Sequence, residues 1–183
     1  MNILLTIILV FAPLVSFANE PSENELFEVF SNARTAISES GPVGTIKYYS
    51  REWLEYKLES AFESADKDHS KINYAKDALW TGFQGIGLVN SVYSYTKIEY
   101  EGKPALSIKA TSGKCNTPSI LVYVFSYEQG KWRIFMKSSD STKNSWLHSS
   151  LNPKVSFPHF EPLDRSEIWK EQFGYLPENK PCP

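Results

Sequence analysis

Apolar positions recur at helical spacing along the first third of the chain and alternate along the next. Ser22-Glu23-Asn24-Glu25 has the S-x-x-E form of a capping box. Leu26, Phe30, Ala33 and Ile37 follow three or four residues apart, which predicts an amphipathic helix that Gly41-Pro42 ends. A second helix is predicted from Thr45 or Ser50 to Ala65. Trp53, Leu54, Leu58, Ala61 and Phe62 form its apolar face, and Glu52, Glu55, Lys57, Glu59 and Glu63 its solvated one. Ser64 to Lys71 reads as a polar connector and Ile72 to Leu79 as a short helix stopped at Thr81-Gly82.

From Val92 the period falls to two. Strands are expected over Val92–Tyr100, Ala105–Thr111, Ser119–Tyr127 and Lys131–Lys137. Glu101-Gly102-Lys103, the loop Ser112–Pro118 and Glu128-Gln129-Gly130 connect them. Short glycine-containing links make this an antiparallel meander. The third strand is apolar on both faces and is expected to lie inside the sheet. Beyond Asp140 the chain is rich in Ser, Asn and Pro, and Pro153, Pro158 and Pro162 are read as ruling out regular structure there. Asp164 is expected to cap one last short helix that Gly174 closes. There is no internal repeat. The predicted architecture is α+β. N-terminal helices pack on a four-stranded antiparallel meander to form one core over about 23–137, with an irregular tail over 138–183.

Composition changes the picture at three points. The 183 residues carry 19 Lys+Arg against 21 Asp+Glu, and 14% are aromatic. This balance argues against a nucleic-acid reader. Ile3 to Phe11 is apolar apart from Thr6, Pro13 breaks the run, and Ser16-Phe17-Ala18 puts small residues at −3 and −1. That is the layout of a signal peptide over residues 1–18, although no Lys or Arg precedes it. The mature protein, 19–183, is then expected outside the cytoplasm, periplasmic or secreted, and not membrane-bound after cleavage. Only two cysteines remain, Cys115 and Cys182. In an exported protein such a pair is most simply a disulfide. Closing a loop of about 67 residues would stabilise the fold by about 4 kcal/mol in the chain-entropy model.

Candidate chemistry is sparse. His69, His148 and His159 lack metal-site spacing, so neither metal nor cofactor is expected. Gly82-Phe83-Gln84-Gly85-Ile86-Gly87 lacks the Lys-Ser/Thr ending of a phosphate loop and reads as an entry into the sheet. Neither Ser138-Ser139 nor Ser149-Ser150 has a G-x-S-x-G context. The strands carry one asymmetry. Val92, Ile98, Leu106, Ile108, Ala110, Ile120, Val122, Val124, Trp132, Ile134 and Met136 are read as the face packed on the helices. Tyr93, Tyr95, Lys97, Lys109, Tyr123, Phe125, Tyr127, Arg133, Phe135 and Lys137 are read as the opposite face. Aromatic residues interleaved with cations suit an interface. Tyr93, Tyr95, Tyr123, Phe125, Arg133 and Phe135 are therefore candidate contacts for a protein partner or a second copy. The alternatives are that the C-terminal tail packs over this face, or that it stacks a sugar or other ligand.

Two helices followed by a meander that closes with Gly130-Lys131-Trp132-Arg133-Ile134 resemble the nuclear-transport-factor-two-like superfamily. The resemblance covers about Glu23 to Lys137 and is one of pattern. It implies a curved sheet wrapped as a cone around the helices, and a ligand at the cone mouth lined by Tyr48, Tyr49, Trp53, Trp80 and Phe83. The fold hosts isomerases, dehydratases, immunity proteins and non-catalytic binders, so it does not select a function. The leading expectation is an exported, non-catalytic binding module of immunity or accessory type. The alternative is a small enzyme with an acid–base pair in the cone interior or a loop cluster around His148 and His159.

Overall fold

Ser22 starts the first helix as its sequence predicts. In the computed structural model, which describes residues 20–64, 85–113, 115–140 and 152–157, α1 runs Glu23–Thr45. The Ser22 hydroxyl accepts from the Glu25 amide at 3.2 Å, and the Glu25 carboxylate accepts from the Ser22 amide at 2.8 Å. Two amide donors that a helix start leaves orphaned are thereby satisfied.

The helix does not stop at Gly41-Pro42. Pro42 brings no N–H to the carbonyl of Ser38, which forfeits one ladder bond. Burial beyond the proline outweighs that loss, since Thr45 in the last turn is fully enclosed. A 3₁₀ turn, Ile46–Tyr48, follows. Helix α2, Arg51–Ser64, begins where the Ser50 hydroxyl accepts from the Trp53 amide at 3.1 Å. Among the described side chains of the predicted apolar face of α2, burial falls off along the helix. Trp53 is buried and Leu54 partly so, while Leu58 stands exposed.

The strands are β1 Val89–Tyr100, β2 Lys103–Ser112, β3 Thr117–Glu128, β4 Lys131–Asp140 and β5 Val155–Ser156. They form one curved antiparallel half-barrel in the order β4-β3-β2-β1-β5. The α+β meander read from the sequence is therefore the fold, and β3 is flanked on both sides. Both β1–β2 and β3–β4 turn in two residues. Glu101 and Gly102 have φ of 50° and 74°, and Gln129 and Gly130 have 51° and 79°. Two successive positive φ values match the right-handed twist of the strands, and glycine takes the second at little cost. The fifth strand corrects the expectation that the prolines bar regular structure. Val155–Ser156 lies between Pro153 and Pro158 and pairs with Ser91 and Val92, and the Phe157 amide after it donates a hydrogen bond to the Asn90 carbonyl at 2.6 Å. An edge pairing this short needs few donors, and the prolines flank it without occupying it.

The largest correction concerns which side of the sheet meets the helices. Register puts Tyr123 opposite Leu106 and Leu121 opposite Ile108, so these residues share a face. That face is the inner one. Leu106, Ile108, Ala110, Leu121, Tyr123, Phe125 and Ile134 form one core with Leu26, Phe30, Ala33 and Ile37 of α1. Phe30 lies 4.9 Å from Tyr123, centroid to centroid, and Phe27 stacks on Tyr95 at 3.9 Å. Ile98, Ile120, Val122 and Val124, expected against the helices, alternate to the outer face. A strand apolar on both sides gives alternation without a phase. Register shifts between Val89 and Ser91 and between Val92 and Ser94 then change the phase along β1.

Candidate functional site

Four of the sequence-predicted site residues, Tyr49, Trp53, Tyr123 and Phe125, lie buried in the core. Tyr123 and Phe125 are fully buried, so they cannot be the centre of an exposed face. Tyr95 is half-buried between the Phe27 ring and the Lys154 ammonium, 4.4 Å from its centroid. Tyr93 falls at the β1 bulge and Phe135 at the β4 bulge, both half-buried, with the Lys103 ammonium 4.3 Å from the Phe135 centroid. Of the cone-mouth set, Tyr49 and Trp53 stack on each other at 4.6 Å inside the core. Trp80 and Phe83 lie outside the described residues, as do His69, His148, His159, Cys182, the leader and the tail helix. Cys115 stands on the exposed β2–β3 turn.

Tyr48 and Arg133 are brought together. They line a cleft of about 500 Å³ between the solvent side of α1 and the β3–β4 turn, with Glu28, Lys47, Lys131 and Trp132. The local sequence explains how each wall is held. The capping box fixes the first turn of α1. The 3₁₀ turn is stitched to β4, because the Ser50 amide donates to the Ile134 carbonyl at 2.8 Å and Tyr49 bridges Ile134. The Arg51 amide donates to the Glu128 carboxylate at 2.9 Å and ties the start of α2 to the same hairpin. Trp132 is half-buried with its ring 5.1 Å from Tyr127, and the Lys47 ammonium lies 5.1 Å from the Tyr48 centroid. Among the described residues the side chains of Glu28, Lys131 and Arg133 make no hydrogen bond or ion pair, so opposite charges face the cleft uncommitted.

A second cleft of about 500 Å³ shares Trp132 and is lined also by Glu20, Lys97, Glu99, Lys103 and Pro104. In a meander the β1–β2 and β3–β4 turns fall at the same end of the sheet, and the start of α1 is fastened there. The Lys97 amide donates to the Glu23 carboxylate at 2.9 Å, and the Lys97 ammonium meets Glu20 at 2.6 Å. That hydrogen bond and the charge of Lys97 hold the Glu20 carboxyl below its usual range.

The inner face holds a polar group that the sequence reading passed over. Arg34 is fully buried, donates from Nε to the Val89 carbonyl at 2.9 Å, and lies 5.0 Å from the Phe157 centroid. Its signal was present, because position 34 falls on the stripe of Phe30, Ala33 and Ile37. Burial pushes the Tyr123 phenol well above its ordinary pKa, an effect the nearby Tyr49 reinforces and Arg34 opposes. Burial also raises Tyr49. Both phenols are therefore held protonated. Among the described residues no carboxylate is buried beside them, and no cluster of His, Cys, Asp and Glu has the makings of a metal site.

No family model matches the chain, and neither a curated protein nor a solved structure shows detectable similarity to it.

Proposed function

We propose that the protein is an exported, non-catalytic binding module whose ligand seats at the hairpin-tip end of the sheet, in the cleft against Trp132. One observation carries this reading: Trp132 lies half-buried between two clefts, with uncommitted charges of both signs around it. A cleft of several hundred Å³ has the size of a ligand site, and here Tyr48 and Trp132 give an aromatic surface within a mainly charged lining. The inner face supports an enzyme less well. Its described buried ionisable groups are a cation and two protonated phenols, packed within an aromatic core. Kinship with nuclear-transport-factor-two-like proteins, of immunity or accessory type, fits the helix-then-meander order and remains part of this proposal.

The test is a fragment screen by two-dimensional NMR on the mature protein with the Trp132 indole and backbone amides assigned. The reading expects fragment-induced shifts to cluster on Tyr48, Val29, Lys131 and Trp132. Clustering elsewhere, for instance on the outer sheet face around Ile120 and Val122, would overturn it.

A further inference from the structure

Resting on that reading, we propose that the ligand is an extended peptide segment carrying both positive and negative side chains, laid across Trp132 from one cleft into the other. Trp132 lines both clefts, so a chain crossing its ring enters each, whereas a compact molecule fills only one.

Charge then narrows the chemistry. The first cleft sets Glu28 on α1 against Lys47, Lys131 and Arg133. In the second, Glu20 already pairs with Lys97, and Glu99 and Lys103 carry the remaining charges of opposite sign. A chain of one sign meets its own charge in each cleft, and like charges brought together at an interface cost affinity. A neutral sugar stacks on Trp132 but leaves the cations without counter-charge as it displaces their water. A peptide with both signs pairs each wall. An apolar side chain at its middle covers the indole, the residue type that most often anchors an interface. The site is also built to hold still. Glu23 and Glu20 lock the second cleft to β1, and Ser50 and Arg51 lock the first to β4 and its hairpin. A preorganised groove spares its ligand the cost of ordering the protein.

The experiment is isothermal titration calorimetry at low salt on the mature chain, residues 19–183. Four end-capped pentapeptides serve as probes: Glu-Ala-Phe-Ala-Lys, its reverse Lys-Ala-Phe-Ala-Glu, and the forms with Glu at both ends or Lys at both ends. Maltotriose is the neutral comparator. The proposal expects one mixed-charge peptide to bind at least tenfold tighter than either single-sign peptide and than maltotriose. It expects Trp132→Ala to weaken that binding at least tenfold. Glu28→Lys, an exposed change that leaves the core untouched, should move the preference toward the Glu-ended peptide by a similar factor. Equal or tighter binding of a single-sign peptide or of maltotriose overturns the proposal, and so does the absence of any pentapeptide heat at millimolar concentration. Should that happen while fragments still gather at Trp132, the cleft stands as the binding site and only the ligand class is wrong.

Discussion

Tyr123→Phe should make the protein more stable. The Tyr123 hydroxyl is fully buried and has no hydrogen-bond partner among the described residues. Burying such a group unpaired costs about 1–3 kcal/mol. Phenylalanine keeps the ring against Phe30 and removes the group that is penalised. Taking the low end, the variant gains about 1 kcal/mol, or about 2–4 °C in melting temperature for a domain of this size. Tyr123→Ala keeps neither ring nor packing and should lose about 3–5 kcal/mol, the range for emptying a buried aromatic site. Urea denaturation reads both, the first as a higher midpoint at unchanged slope. A pH series adds an independent check. Tyr49 and Tyr123 both have folded pKa values raised above the unfolded value near 10. Their contribution is therefore complete below about pH 10 and is lost as pH rises above it toward the folded values. While both titrate in the unfolded chain alone, the loss is about 2.7 kcal/mol per pH unit, and about 1.4 in Tyr123→Phe. A Tyr123→Phe protein that is less stable by 1 kcal/mol or more, with an alkaline slope unchanged from the parent, would refute this placement of the side chain.

Phe157→Ala should lower the melting temperature, because Phe157 covers the Arg34 guanidinium and meets the Phe30 ring at 6.2 Å; unchanged melting in a thermal scan would contradict that packing. Denatured, unreduced mature protein should show no free thiol, as pairing of Cys115 with Cys182 requires, and reduction should lower its melting temperature. Two thiols in the assay would end that proposal. Intact-mass analysis of exported protein should find Asn19 as the first residue, and a main species retaining Met1 to Ala18 would count against the leader.

Where one principle governed an element, the sequence displayed it. The Ser22-x-x-Glu25 box and the stripe Leu26, Phe30, Ala33, Ile37 locate α1, and two X-Gly pairs locate both tight hairpins. Legibility failed where a longer-range effect overrode a local signal. Gly41-Pro42 is a strong local stop, yet burial of Thr45 carries the helix past it. The run Ile120 to Phe125 is apolar at every position, so its inner side is set by pairing with β2 and by bulges, neither of which alternation reveals. That one phase error put Tyr123 and Phe125 on the wrong surface. At the site, Tyr48 and Arg133 were legible as aromatic and cationic candidates. Their meeting with Glu28 and Trp132 was not, because it depends on the 3₁₀ turn folding back to bridge Tyr49 with Ile134. Arg34 was visible as a charge on an apolar stripe, and its burial follows from that position.

Binding at the groove across Trp132 is what the proposed function requires. A crystal of the mature protein grown with the preferred mixed-charge pentapeptide tests it most directly. Peptide density should run continuously across the Trp132 indole, with the acidic end toward Lys131 or Lys103 and the basic end toward Glu99 or Glu28. Peptide density on the outer sheet face, or at any site that leaves both clefts empty, would contradict it.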